Sequence, residues 1–298
     1  MKRIIFLSFV SLIFLTGKSY SQFDKPILQV GIGIAEPFDQ LKGSSYLMFG
    51  TYQNTQLTLI DSNLYKNNYG AQTGFNAFGS IKINFDKYNI VRGVGFASFT
   101  GFNSFQSKKN GNQLYVNPNN PNDYFSAPQE YNYSFSAFSF GLGLEIAPTS
   151  FTKVFSPFFG ANISFNSFSS TLERSPNSID TVRFKAKGFR IGVNFNAGLE
   201  YKFSKMFGMA LGVKYDLGNL LLRESSNSSN SDFYEWGRQN GNLNDDEGSF
   251  RSSLPNYLSN NFPLSYTSNK KNINWGTIYL AANIYLNTKK TTKKPTKK

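Results

Sequence analysis

The 298-residue chain contains no cysteine and no histidine. Without cysteine there can be no disulfide framework, thiolate metal site or thiol nucleophile. Without histidine the usual proton shuttle near neutral pH and the commonest metal ligand are both missing, which excludes a serine–histidine nucleophile and a histidine zinc site. Only carboxylate or serine–lysine chemistry survives. Long apolar runs are also lacking: none reaches the roughly 18 to 20 residues that a spanning helix requires. The longest, residues 4–15, follows Met1, Lys2 and Arg3 and leads into Ser19, Tyr20, Ser21 and Gln22. That is the layout of a secretory signal peptide over residues 1–21, cut after Ser21. Carboxylates are scarce, 18 against 31 lysines and arginines, for a net charge of +13. Nine of those positive charges are Lys2, Arg3, Lys18 and the six lysines of residues 288–298, so the body carries only +4. A basic leader and a basic tail are not the footprint of nucleic-acid binding, which needs a basic face on the folded body.

What the chain has in quantity is phenylalanine, 31 residues, and tyrosine, 17, although hydrophobic residues make up only 40% of the whole. The apolar residues are dispersed with a period of two. Between 183 and 203, Phe189, Ile191, Val193, Phe195, Ala197, Leu199, Tyr201 and Phe203 alternate with Arg190, Gly192, Asn194, Asn196, Gly198, Glu200 and Lys202. Such alternation is a strand with one apolar and one polar face. The same pattern predicts strands over 26–36, 73–85, 90–104, 131–147, 154–170, 183–203, 206–222 and 272–286. In the third, Phe96, Phe99 and Phe102 do not share a face; in the fourth, a phase change near Ser136 to Phe138 predicts a bulge.

Connections alternate in length. Short turns span 86–89, 148–153 and 204–205, whereas long links span 37–72, 105–130, 171–182 and 223–271. An even number of two-faced strands with tight turns at one end and large loops at the other fits a closed, up-and-down antiparallel barrel spanning a membrane. Closure follows from physics, because a peptide group facing lipid has no water to bond and a spanning sheet can have no free edge. A further hairpin within 46–60 would raise the strand count from eight to ten.

Together, the leader, the eight two-faced strands, the short–long rhythm and the aromatic-rich apolar faces resemble the family of small eight-stranded bacterial outer-membrane β-barrels, over roughly 26–286. The resemblance implies an all-β transmembrane barrel at 22–287 with periplasmic turns and extracellular loops, followed by a lysine-rich periplasmic tail at 288–298. It also implies a location in the outer membrane, with membrane lipid and the barrel-assembly machinery as partners. Members usually end at an aromatic residue, whereas here Tyr285 and Leu286 precede a tail of twelve residues. An opposite placement stays open, a soluble periplasmic barrel with its apolar face turned inward around a greasy ligand, since alternation alone does not say which face points out.

On the barrel reading the polar faces place Lys82, Glu145, Arg190, Glu200, Lys202, Lys214 and Asp216 in the lumen. Charges of both signs can pair there, and an eight-stranded barrel is just wide enough for side chains to fill. A plugged lumen is therefore the first expectation and a small channel for ions or polar solutes the second. The long loops offer Tyr46, Tyr52, Tyr65 and Tyr69 in the first, and Tyr234 and Trp236 in the last, among Ser, Gly and Asn. That mixture suits recognition of an extracellular ligand, and equally a solvated connection. Asp245, Asp246 and Glu247 read as a solvated acidic patch, because they lack the spacing of a calcium loop. Ser150 and Lys153 have the spacing of a serine–lysine pair but sit in a turn without its companion motifs. No cofactor or metal site is predicted. The expected function is non-enzymatic, structural or recognition through the loops.

Overall fold

Each of the eight alternating segments forms a strand. In the computed structural model these are β1 Ile27–Phe38, β2 Gln72–Asn84, β3 Val91–Asn103, β4 Glu130–Ile146, β5 Phe155–Ser175, β6 Val182–Lys202, β7 Phe207–Leu221 and β8 Asn274–Tyr285. The structure describes residues 26–43, 49–53, 56–60, 67–85, 90–103, 112–117, 120–128, 130–148, 155–175, 182–225, 238–251 and 265–286. The expected leader, the tail, Ser150 and Lys153 lie outside them.

Every barrel strand pairs antiparallel with its neighbours in the chain, and β1 pairs with β8 from Ile27↔Tyr285 to Phe38↔Asn274, which closes the ring. The first-loop hairpin, Phe49–Gln53 with Gln56–Ile60, forms a separate two-stranded sheet. The barrel thus has eight strands, not ten. Two more hairpins stand in the loops, Asn112–Asn117 with Asn120–Pro128 and Gly248–Arg251 with Ser265–Ser268. Where β7 ends, the upper edge of β6 is taken by Arg238–Asn242, which pairs in parallel with residues 183–187.

The two faces settle which way the barrel is turned. Val30, Ile32, Phe75, Ile81, Leu142, Ile163, Leu211 and Ile278 are each more than half exposed, whereas Gln29, Asn76, Lys82, Ser98, Asn162 and Asn194 are buried. Apolar side chains point out and polar ones in, the reverse of a water-soluble barrel. The reading of a soluble carrier with an inward apolar face therefore falls. Leu142 is 64% exposed near the middle of the apolar band, so Leu142→Arg should lose about 2–4 kcal/mol of folding stability in lipid vesicles. Urea titration measures it, and an unchanged midpoint would mean that this face does not meet hydrocarbon.

The expected bulge in β4 is absent: its register runs unbroken against β5 from Glu130↔Ser175 to Ile146↔Phe159. What changes is the chemistry of the two faces, not their phase. Outward residues pass from Ile146, Leu144, Leu142, Phe140 and Phe138 to Ser136 and Ser134, while inward ones pass from Glu145 and Ser139 to Ala137, Phe135 and Tyr133. On β5 the outward series runs Phe159, Ile163, Phe165, then Ser167, Ser169 and Thr171; on β6 it runs Phe195, Val193, Ile191, Phe189, then Lys187 and Lys185. Register aligns the switch across the three strands, because Phe138, Ser167 and Phe189 form one row and Ser136, Ser169 and Lys187 the next. This row is the edge of the hydrocarbon. Below it lie residues 138–146 of β4, within the roughly 9–11 that a tilted strand needs to cross. Above it β4–β6 continue into water on the long-loop side, and their inner face becomes an ordinary hydrophobic core.

Candidate functional site

The barrel interior is built in layers. Nearest the short turns, four charges meet from four strands: Lys82 on β2, Arg92 on β3, Glu145 on β4 and Glu200 on β6. Lys82 Nζ donates to both Glu145 oxygens at 3.0 and 2.9 Å and to Glu200 Oε1 at 3.1 Å. Arg92 Nη1 donates to Glu145 Oε1 at 3.1 Å and to Glu200 Oε2 at 2.8 Å. Each cation thus bridges both carboxylates, no side chain of the four is more than 5% exposed, and the formal charges cancel. Pairing of this kind offsets the desolvation that a buried ion would otherwise carry.

Above the quartet lies a small cavity of about 40 Å³, lined by the polar Gln29, Ser80, Asn162, Asn194 and Lys214 and by the apolar Phe78, Val94 and Phe96. That is room for roughly two or three water molecules. Asn162 donates to Asn194 Oδ1 at 2.7 Å, and Lys214 Nζ stands 3.3 Å from Asp216 Oδ2. Beside it Tyr279 and Phe78 meet edge to face at 4.9 Å. Gly31 and Gly212 make room for those rings, since a Cβ at either would lie 2.5 Å from a ring atom.

Next come the aromatics. Phe102, Phe135, Phe168 and Trp275, from β3, β4, β5 and β8, form a ring of contacts with centroid separations of 5.8–6.3 Å. Tyr69 adds a fifth, 5.3 Å from Phe135. All five are buried, and with Leu243 and Ile273 they close the lumen across its width.

Over this layer the middle of the last long loop folds back as a strap. Leu243 enters the aromatic layer and its N–H donates to the Lys187 carbonyl at 2.8 Å; Tyr69 donates its hydroxyl to the Asn244 carbonyl at 3.0 Å. The Asp245 carboxylate, fully buried, accepts from Arg190 Nε and Nη2, from Asn219 Nδ2 at 2.7 Å and from the Glu224 N–H at 3.1 Å. Asn219 also donates to the Lys271 carbonyl and accepts from the Ile273 N–H, both at 2.8 Å, tying both feet of the loop to its middle.

Lys271, buried in the same cap, donates to the Asn269 carbonyl at 3.0 Å. Burial holds its ammonium down at about 8, against the opposing pull of Asp245, from an ordinary 10.5. Below pH 8 the folded and unfolded forms are both charged, and closing the cap carries the whole desolvation cost. Between 8 and 10.5 the unfolded form holds the extra proton, so stability rises with pH, by at most about 3 kcal/mol. Urea midpoints measured from pH 7.5 to 10.5 should therefore climb, and Lys271→Met should flatten the climb.

Six of the seven predicted lumen residues lie inside, but not in one cluster: Lys82, Glu145 and Glu200 near the turns, Lys214 and Asp216 midway, Arg190 under the strap. Lys202 is a correction. It is exposed at the short-turn rim with its ammonium 4.3 Å from the Tyr285 ring, because the strand has left the lumen by that point. Tyr69 is corrected too, since it is 1% exposed and packed inward against Phe135 rather than presented on the loop surface. Tyr46, Tyr65, Tyr234 and Trp236 lie outside the described residues, and Tyr52 falls on the separate first-loop hairpin. The acidic patch at 245–247 splits: Asp245 is buried against Arg190, and only Glu247 is exposed. Sequence reasoning missed Arg92 and read Asp245 as solvated rather than buried on Arg190; Arg92 had a usable signal, the even-numbered polar series with Ser98 and Thr100.

Eight antiparallel strands closed on themselves, an apolar exterior about one bilayer tall, and tight turns opposite long loops define the class: a transmembrane β-barrel of the bacterial outer-membrane type. No family model and no curated protein matches the sequence. Among solved structures the chain is similar to Neisserial surface protein A, at 10% identity and a TM-score of 0.40, covering 87% of this chain and 96% of that one. It is similar to OprG of Pseudomonas aeruginosa, at 10% identity and 0.41, covering 90% and 98%, and to the Escherichia coli outer membrane protease OmpT, at 11% and 0.38, covering 89% and 97%. Strand order and face chemistry, rather than these distant likenesses, carry the assignment.

Proposed function

We propose that this barrel is a non-enzymatic, non-conducting outer-membrane platform that presents its long loops for recognition outside the cell. The observation that carries the reading is the filled lumen: the charge quartet closes one end and the aromatic layer with its strap closes the other. The loop carrying the strap is also anchored at three places, at Glu224, Asp245 and Lys271, which gives the Gly248–Arg251 and Ser265–Ser268 hairpin a fixed base. A fixed base lowers the ordering entropy that a binding loop must otherwise give up. On this reading the partners are membrane lipid, the assembly machinery and an extracellular ligand.

In planar bilayers the purified protein should give no conductance steps, and steps from the wild type would favour the channel instead. Proteoliposomes should bind within a panel of immobilised glycans and matrix proteins. Deleting residues 252–264 should abolish that binding with the heat-modifiable mobility of the barrel intact. Removing the whole of 223–271 would be a poor test, because it takes Asp245 out of the barrel. Binding that survives the short deletion would remove the last loop from the reading.

A further inference from the structure

Just outside the hydrocarbon edge, the outer face of β4–β6 carries two rows set by register. Ser136, Ser169 and Lys187 form one, and Ser134, Thr171 and Lys185 the next. Lys187 is exposed and Lys185 half-buried, and neither ammonium has an ion-pair or hydrogen-bond partner among the described residues. Lys187 lies next above Phe189 on the same face, and Phe189 is 47% exposed toward lipid, so the Lys187 backbone stands about 7 Å along the strand from the last residue of the apolar band. On the other side of β6 the register partner of Lys187 is Asn242, whose amide donates to Glu224 Oε1 at 2.9 Å. The backbone beneath is fixed, since the Lys187 carbonyl accepts from the strap at Leu243.

We propose that this face binds the anionic headgroup of an outer-leaflet lipid, a phosphorylated glycolipid whose acyl chains lie against the apolar band below. The lysines pair with phosphate, and the serine and threonine hydroxyls with sugar hydroxyls. Continuity with the lipid face selects the occupant: a lipid seated against Phe138, Phe165 and Phe189 has its headgroup at these two rows. A soluble anion has no reason to choose this height.

The test uses the full-length protein in phosphatidylcholine nanodiscs doped with bisphosphorylated lipid A or with its dephosphorylated form, and native mass spectrometry to count retained glycolipid. The wild type should retain the phosphorylated form selectively, with retention falling as salt rises. Lys185→Ala/Lys187→Ala should weaken retention about 30-fold, two lysines each acting at the membrane surface. Lys270→Ala, an exposed lysine on the cap, should leave it unchanged. The proposal is overturned if the double variant, still heat-modifiable, retains lipid A as well as the wild type. It is equally overturned if Lys270→Ala weakens retention as much, or if the dephosphorylated glycolipid binds as tightly.

Discussion

Glu145→Ala is expected to lose about 3–5 kcal/mol of folding stability in vesicles, whereas Lys82→Met/Glu145→Met is expected to lose little. The single substitution leaves Lys82 and Arg92, both buried, sharing Glu200 alone, so one positive charge is stranded inside the barrel. The double substitution removes one charge of each sign with roughly conserved volume and leaves Arg92 paired to Glu200 at 2.8 Å. A single change worse than the pair that contains it is the mark of coupled charges, and a cycle of urea titrations reads it directly. Equal losses would mean that the four groups act only by filling space. The quartet also bears on conduction. Even if the short-turn end loosened, Phe102, Phe135, Phe168 and Trp275 would still close the other, so bilayers with the double variant should stay silent.

The fold was legible because a transmembrane barrel writes its geometry into every second residue. Phe189 to Phe203 alternated without a break, and the predicted strand of 183–203 is observed as Val182–Lys202. Misreadings arose where the environment changed along a single strand. Near Ser136 the apolar set crosses from outside to inside, as the strand leaves lipid and enters water, and from sequence that reversal cannot be told from an inserted residue. In β3 the blurred phase had a similar source: Phe96 and Phe102 point inward and Phe99 outward, while Gly93, Gly95 and Gly101 take outward positions. Arg92 was hidden by that ambiguity. The strap was hidden for another reason. Nothing near Asp245 announces a partner 55 residues away, and an acidic triplet among asparagines and glycines reads as solvent-facing by any local rule. Long-range pairing inside a loop is set by the mouth of a barrel that must be built before the loop can know it.

Arg190→Ala is expected to release the strap with the barrel still standing. It leaves the fully buried Asp245 carboxylate with Asn219 and the Glu224 N–H but without the cation that hydrogen-bonds it, which disfavours the docked cap by about 3–5 kcal/mol. The barrel below keeps its quartet and all eight strand pairings, so heat-modifiable mobility should persist. The cap should not: amides at 243–246 and 271–273 should lose their exchange protection together, because Asn219 and Asp245 tie these segments into one unit. Trp275 reports the same event optically. The chain has two tryptophans, so in a Trp236→Phe background the emission comes from Trp275 alone, fully buried under Leu243 and expected to emit blue. Arg190→Ala should shift it red as Leu243 leaves and water reaches the aromatic layer. Arg190→Met/Asp245→Leu, which removes both charges, should restore much of the protection. If the single variant keeps its amides protected and its emission blue, hydrophobic packing of Leu243 alone holds the strap, and the ion pair is incidental to it.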